Sequence, residues 1–287
     1  MQEAEWMNDA TITKTQMQAF RDQLCWEEKS PGTMEKYCRD VAAFAVWLGE
    51  RPLTKDAAGA WKAALLAGGQ APATINAKLA ALNRFFSFLG RPELRVRPLR
   101  IQRRLFRDDS RDLTREEYDR LLGAARALGR ERLALLLEAI CATGIRVSEV
   151  RYLTVEAALA GRAVVRLKGK IRTILLPGKL CRKLLKYARK QKTASGEIFL
   201  TRSGRGLSRR QIWAEMKSLC ARAGVEPTKV FPHNLRHLFA TTFYRVCRDI
   251  ARLADVLGHS SIETTRIYLV TSGEEHAKIL DRLQLVS

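Results

Sequence analysis

The stretch from Phe231 to Tyr268 places the tightest constraint on how this chain folds. Its apolar residues recur at helical spacing, which predicts a helix that begins just after Pro232 and turns one face toward a core. A second predicted helix ends at Gly258, in the manner of a glycine C-cap, and a third begins at a serine N-cap soon after it. Three amphipathic helices with such short connections are expected to lie close together in space.

Four polar side chains interrupt this apolar pattern. His233 and Arg236 share one face of the first helix, His259 lies just past the end of the second, and Tyr268 follows on the third. Two imidazoles, a guanidinium and a phenol are therefore expected to converge on one pocket. Guanidinium groups neutralise the charge that an in-line attack builds on the non-bridging oxygens of a phosphodiester, without a metal. A tyrosine oxygen is a good nucleophile once a base takes its proton, and a phosphotyrosine conserves the bond energy.

This chemistry needs a second arginine, and Arg146 is the candidate upstream. The apolar helix before it is predicted to end at Gly144, because glycine readily takes the positive φ that helix ends favour. Arg146 then opens the next helix from a sharp junction. Glu149, one turn further on, is expected to orient an arginine. His237 follows Arg236 directly, so it is expected to face elsewhere and to serve as a structural hydrogen-bonding group.

The segments ATGIRVSEV, HNLRH, LGHSS and the TxxxY that ends in Tyr268 resemble, in order and spacing, the tyrosine recombinases, which are also called phage-type integrases. Near the start of the chain, SPGTMEKY and NAKLAALNRFFSFL resemble the core-binding domain of the same family. An arginine after a helix break, or a histidine at a helix start, is usually structural when it stands alone. Four such motifs in the family's order are not expected by chance.

The resemblance implies site-specific cleavage and rejoining of double-stranded DNA, through a 3′-phosphotyrosyl intermediate and a Holliday junction, with no metal and no cofactor. It also implies a homotetramer on paired DNA sites, with accessory proteins as an open question. The resemblance implies that Tyr268 is the nucleophile and that Arg146, Arg236 and His259 bind the phosphate. It also implies that His233 accepts the proton of the nucleophile or orients it.

The family also holds a lysine on a β-hairpin, which protonates the departing 5′ oxygen. Two β-rich runs joined by KGK predict such a hairpin here. The turn is one residue shorter than the family's usual pattern, so two lysines remain candidates. The resemblance favours Lys168 as the general acid, with Lys170 as the alternative.

The length of 287 residues predicts two domains. Residues 1–107 are predicted to form a small all-helical domain, which the resemblance implies is SAM-like, ending in a basic linker over about 91–111. Residues 112–287 are predicted to form a catalytic domain that is mainly α with three short strands, the third at Glu197–Leu200. An amphipathic tail helix over 274–285 packs either on its own domain or on a neighbouring protomer. The resemblance implies that the two domains close on duplex DNA as a clamp.

The charge balance points independently to a polyanionic partner. Lys plus Arg number 51 against 30 Asp plus Glu, a formal net charge of +21. An excess of this size favours nucleic acid over an acidic membrane face, and no apolar run is long enough to cross a bilayer. The six cysteines show neither CxxC pairs nor zinc-ligand spacing, which predicts reduced core residues of a cytoplasmic protein. The resemblance implies that this protein is nucleoid-associated and encoded by a bacterium, a phage or a mobile element.

Candidate DNA contacts are basic residues in both predicted domains, because arginine forks and lysines suit phosphates and base edges. A surface lysine alone is usually only solvated. The candidates are Lys36, Arg39, Lys78 and Arg84 in the first domain, and Lys170, Arg202, Arg205, Arg209 and Arg210 in the second.

Two other functions use parts of the same residue set. A type IB topoisomerase has a similar tyrosine, arginines and histidine, but it acts as a monomer and reseals the original strand. A DNA-binding regulator with a silent active site needs no nucleophile. The compact size, the helical N-terminal domain and the tail helix favour recombination. Chromosome resolution, phage integration and transposition are not distinguished by the sequence, nor is the DNA site.

Overall fold

A computed structural model of the chain describes residues 11–101, 111–167, 170–268 and 281–282. The described residues are mainly α-helical with one small antiparallel sheet, which confirms the predicted fold class. The chain divides into two compact units, Met1–Arg103 and Arg104–Ser287. None of the helices within the described ranges is long and apolar enough to cross a membrane.

The first unit contains four helices: α1 (Lys14–Trp26), α2 (Pro31–Leu48), α3 (Lys55–Ala67) and α4 (Pro72–Phe88). The first three begin at hydroxyl N-caps, Thr13, Ser30 and Thr54, each of which accepts a hydrogen bond from a backbone N–H three residues on. Their apolar faces enclose a core that is rich in phenylalanine, including the fully buried Phe44 and Phe86. The aromatic side chains of these helices therefore form much of the core.

The first part of the predicted linker is fixed to its own unit. Two asparagines of α4 each pair with one residue of the extended segment that follows. Asn83 donates to the carbonyl of Val96 at 2.9 Å and accepts from its N–H at 2.9 Å. Asn76 does the same with Leu99, at 2.9 and 2.7 Å. Each side-chain amide bonds both the N–H and the C=O of one residue, as a neighbouring strand would, so this part of the linker is held in place. Residues 102–110 of the linker lie outside the described residues.

The second unit is built around an apolar helix, α6, which packs against α5, α8 and α11. Its helices are α5 (Arg115–Ala127), α6 (Glu131–Thr143), α7 (Val155–Ala160), α8 (Gly178–Lys190), α9 (Arg209–Lys217), α10 (Cys220–Ala223), α11 (Pro232–Cys247), α12 (Ile250–Leu257) and α13 (Ile262–Arg266). A capping box of Thr114 and Glu117 is present at the start of α5. Of the predicted tail helix, the structure describes residues 281–282, which are helical.

One sheet lies in the described part of this unit, a hairpin of β1 (Arg162–Leu167) and β2 (Lys170–Leu175) in antiparallel register. The predicted third strand at Glu197–Leu200 is wrong, since this segment makes only isolated bridges, one of them between Thr154 and Glu197. Thr154 is the N-cap of α7. The partner backbone therefore turns into a helix directly after the bridge, so no ladder extends from it.

Candidate active site

Two helices of the second unit end side by side at glycines. Gly144 ends α6 with a φ of 61°, and Gly258 ends α12 with a φ of 62°. A Cβ atom on Gly144 would come within 2.5 Å of the Phe239 ring, and one on Gly258 within 2.5 Å of Cδ of Arg172. Each position therefore requires glycine for two reasons: the backbone has a positive φ, and a neighbouring side chain occupies the place of a Cβ atom. The predicted helix ends at these glycines are confirmed.

The Arg236 side chain extends from α11 to these two helix ends, and the residue is 3% exposed. It donates hydrogen bonds to the carbonyl of Gly144, to the carbonyl of Leu257 at 2.8 Å and to Nε2 of His259 at 2.9 Å. Carbonyls at the C-terminal end of a helix carry partial negative charge, which stabilises the buried guanidinium. Burial and the nearby Arg146 lower the pKa of Arg236 to about 10, so it stays protonated at neutral pH.

Arg146 lies two residues after Gly144 and precedes a short 3₁₀ helix, Val147–Tyr152. Its position is fixed by Glu149, which accepts a hydrogen bond from the Arg146 backbone N–H at 2.9 Å and one from its guanidinium at 3.1 Å. Glu149 is 2% exposed. Burial raises the pKa of this carboxyl, but hydrogen bonds from Arg172 and Arg146 outweigh burial, and the pKa is lowered overall. Glu149 is therefore an anion that orients arginines.

Arg172, on β2, is a residue that sequence reasoning missed. Its guanidinium donates to the Glu149 carboxylate at 2.5 Å and to the carbonyl of Leu257 at 2.5 Å, and its side chain is 15% exposed. It lies opposite the buried Val165 and two residues before the buried Ile174. The signal in the sequence was a charged residue at a position of β2 where the alternation of the strand predicts an inward-facing, apolar side chain.

His259 follows Gly258 and is hydrogen-bonded through both ring nitrogens. Arg236 has no acceptor, so Nε2 of His259 accepts its hydrogen bond, and the ring hydrogen lies on Nδ1, which donates to the buried Thr265 hydroxyl at 2.9 Å. Burial, together with the positive charges of Arg236, Arg146 and Arg172, lowers the pKa of His259 to about 4. The imidazole is therefore neutral at neutral pH.

This lowered pKa predicts a pH dependence of stability. Below pH 6.5 the unfolded chain protonates His259 while the folded chain keeps it neutral down to about pH 4. The contribution of His259 is therefore fully present above pH 6.5 and is lost as the pH falls toward 4. After discounting for solvent screening, we expect wild type to lose on the order of 1 kcal/mol more than His259→Gln between pH 7.5 and pH 5, measured by urea unfolding. An equal loss in both proteins would contradict a neutral, half-buried His259.

Tyr268 is 5% exposed and is enclosed by three imidazoles. The ring centroids of His259, His237 and His233 lie 6.0, 5.1 and 6.4 Å from the tyrosine ring, and the His259 ring is stacked on it at 12°. A hydrogen bond between Arg236 and the Tyr268 hydroxyl raises the pKa of Arg236, against the larger effect of burial. The predicted convergence of two imidazoles, a guanidinium and a phenol is therefore what the structure contains.

The expectation that His237 faces elsewhere is wrong, because its ring is the nearest of the three to Tyr268. Successive helix residues are about 100° apart, and the large tyrosine ring spans the faces that carry both Arg236 and His237. Nδ1 of His237 also lies 3.7 Å from the Asp112 carboxylate. His237 is thus part of the wall of the tyrosine pocket.

The remaining predicted residues fall into three groups. Lys168 lies outside the described residues, and Lys170 is the first residue of β2, opposite Leu167. Three of the candidate DNA contacts in the first unit are ion-paired within it: Lys36 and Arg39 with Asp40, at 2.8 and 3.6 Å, and Arg84 with Glu27. The other described candidates are exposed or partly exposed, namely Lys78, Arg202, Arg205, Arg209 and Arg210.

In the part of the chain that the structure describes, no group of three or more His, Cys, Asp or Glu side chains is arranged to hold a metal ion. The site is instead a cationic cluster. The guanidiniums of Arg146 and Arg172 share one buried carboxylate, and Arg236 shares the Leu257 carbonyl with Arg172. Their neighbours are a neutral imidazole and a phenol. Such a cluster favours an anion with several oxygen acceptors.

Comparison with known proteins agrees with this geometry. Residues 111–275 match the phage integrase family, and residues 17–93 match the phage integrase N-terminal SAM-like domain. The chain is 30% identical to tyrosine recombinase XerA of Thermococcus kodakarensis, over 94% of this chain and 95% of that one. It is 30% identical to tyrosine recombinase XerA of Pyrococcus furiosus, over 98% of each chain. Its fold is similar to that of a lambda integrase tetramer bound to a Holliday junction, with a TM-score of 0.72 and 17% identity over 93% of this chain and 80% of that one.

Proposed function

The chain belongs to the phage integrase family of tyrosine recombinases, and from this premise we propose that Tyr268 is its nucleophile in site-specific recombination of double-stranded DNA. The observation that carries the proposal is the placement of the Tyr268 ring, which is stacked on His259, the imidazole that is hydrogen-bonded to the buried Arg236 of the guanidinium cluster. A phenol in this position faces the place where the cations would hold a phosphate.

The proposed cleavage is an in-line displacement at phosphorus. The Tyr268 oxygen bonds to the scissile phosphorus, the bond from phosphorus to the 5′ oxygen breaks, and the products are a 3′-phosphotyrosine and a free 5′-hydroxyl. Arg146 and Arg236 hold the non-bridging oxygens as charge develops on them. Arg236 is suited to this role because two helix-end carbonyls fix its guanidinium before substrate arrives.

Two imidazoles have different roles in this proposal. Nε2 of His259 already accepts a hydrogen bond from Arg236, so His259 acts beside the phosphate rather than as the base. His233 is exposed, its ring lies 6.4 Å from that of Tyr268, and we propose that it takes or directs the phenol proton. The 5′-hydroxyl of a partner duplex then attacks the phosphotyrosine, which exchanges the strands and forms a Holliday junction.

The general acid of this proposal is Lys168, with Lys170 as the alternative. In the sequence, Lys168 comes directly after the last residue of β1, and Lys170 is the first residue of β2. Arg172, only two residues after Lys170, contacts the carboxylate that orients Arg146. Both lysines are thus close in sequence to a residue of the site.

A sulfur leaving group separates the two lysines. With an ordinary substrate, we expect Lys168→Ala to cleave about 10²- to 10⁴-fold more slowly than wild type, the usual contribution of a general acid. A substrate with sulfur in place of the 5′ bridging oxygen should restore the rate, because a thiolate leaves without a proton. Lys170→Ala is the matched control, and the assay is single-turnover formation of the covalent complex. The assignment is reversed if sulfur rescues only the Lys170 variant.

We propose that residues 112–287 carry out the chemistry, that residues 1–107 bind DNA, and that four copies act together on paired sites. This proposal is distinguished from a type IB topoisomerase by the fate of the cleaved strand. Wild type should join the strand of one labelled duplex to a second, differently labelled duplex and accumulate four-way junctions. Relaxation of supercoiled DNA with no joining between duplexes would favour the topoisomerase alternative.

A further inference from the structure

We infer that Arg172 is a positioning residue, which holds Arg146 and Arg236 at the spacing that one phosphate requires; this inference rests on the function proposed above. The key feature is a continuous chain of hydrogen bonds. Glu149 accepts from both Arg146 and Arg172, and the Leu257 carbonyl accepts from both Arg172 and Arg236. Arg172 therefore connects the two phosphate-binding arginines, because it shares the Glu149 carboxylate with Arg146 and the Leu257 carbonyl with Arg236.

The directions of its hydrogen bonds indicate that Arg172 acts through these neighbours. One terminal nitrogen donates to the Leu257 carbonyl and the other donates to Glu149. Its Nε–H is buried and has no hydrogen-bond partner among the described residues. An unpaired buried donor costs stability, so the residue is not at this position for stability alone. With both terminal nitrogens engaged, Arg172 orients the groups around it.

The glycine of the LGHSS motif makes this arrangement sterically accessible. Cδ of Arg172 lies 2.5 Å, and its Nη1 2.7 Å, from the point where a Cβ of Gly258 would be. Any side chain at position 258 would therefore displace Arg172 from the end of α12. Gly258 thus ends a helix and also admits the arginine that ties β2 to that helix end.

Arg172 also affects the charge that Arg146 can offer to a phosphate. The three guanidiniums of the network repel one another, and a single carboxylate, Glu149, is hydrogen-bonded to two of them, those of Arg146 and Arg172. Without Arg172, Glu149 would neutralise Arg146 more completely and would leave it less charge for a phosphate. With Arg172 sharing the carboxylate, Arg146 keeps its orientation and more of its positive charge.

The test compares Arg172→Ala and Arg172→Lys with Arg162→Ala, an exposed arginine at the other end of the same hairpin. The probe is a nicked duplex that wild type cleaves, with either an ordinary phosphate or an uncharged methylphosphonate at the scissile position. On the phosphate, we expect Arg172→Ala to form the covalent complex about 10- to 100-fold more slowly with unchanged DNA affinity, and Arg172→Lys to recover part of the rate. On the methylphosphonate, the ratio of wild type to Arg172→Ala should shrink to a few-fold, because less charge has to be held.

A merely structural role would leave that ratio the same on both substrates, and this result would overturn the inference. The sulfur-bridged substrate is a second discriminator, since it should not rescue Arg172→Ala if Arg172 acts through the arginines. A rescue there would overturn the inference in favour of a role in protonating the leaving group.

A measurement that does not depend on activity separates this inference from the proposed function. The pKa of His259 is lowered in part by Arg172, so NMR titration should show a higher pKa for His259 in Arg172→Ala than in wild type and in Arg162→Ala. If wild type cleaves no DNA, the proposed function fails while this titration still tests the network. An unchanged pKa of His259 would show that Arg172 does not belong to the network, whatever the activity.

Discussion

Tyr268→Phe is expected to abolish covalent attachment of the protein to DNA while changing its DNA affinity by less than about threefold. The substitution removes only the attacking oxygen. The ring stays among the three imidazoles and against Leu253 and Leu257, so the pocket keeps its shape. The measurement uses nicked duplexes drawn from the flanks of the native gene, incubated with protein and a chelator and resolved on a denaturing gel.

Tyr244→Phe is the matched control for this experiment, because Tyr244 is partly buried on α11 and packs on the same small cluster as Tyr268. We expect it to form the covalent product at the wild-type rate. A covalent band from Tyr268→Phe would place the nucleophile elsewhere. The absence of a band from wild type, on duplexes that it binds tightly, would favour the DNA-binding regulator.

The parts of the site that were predictable depend on local sequence signals. Gly144 and Gly258 mark helix ends because glycine takes a positive φ at little cost. Arg146, two residues after Gly144, and His259, directly after Gly258, are placed by these helix ends. His233 and Arg236 are placed by their spacing on one helix. A single chain segment sets each of these features, so the sequence of that segment is sufficient to predict it.

The parts that were missed depend on contacts between distant segments. Arg172 joins the site through Leu257, 85 residues away, and through Glu149, 23 residues away. His237 faces Tyr268 because the tyrosine ring, which follows α13, spans two faces of α11, and helical periodicity alone does not specify this. The third strand failed for a similar reason, because its partner backbone at Thr154 turns into α7. Register and packing between elements, rather than residue type, determine these features.

Arg236→Ala is expected to slow covalent complex formation by about 10²- to 10³-fold, the usual effect of removing one donor to a developing oxyanion. It should also destabilise the fold by about 1–3 kcal/mol, because the carbonyls of Gly144 and Leu257 lose a buried donor. Single-turnover cleavage and urea unfolding measure the two effects separately. Arg245→Ala, an exposed arginine on the same helix, is the control and should change neither.

Arg236→Lys separates charge from geometry at this position. A lysine keeps the positive charge but replaces the planar fork with a single ammonium group, which cannot reach two helix ends and His259 together. We therefore expect Arg236→Lys to remain well below wild type in rate, with a loss of at least about tenfold. Wild-type activity in Arg236→Lys would mean that a point charge is sufficient, and the convergence of α6 and α12 on this guanidinium would then serve the fold rather than the reaction.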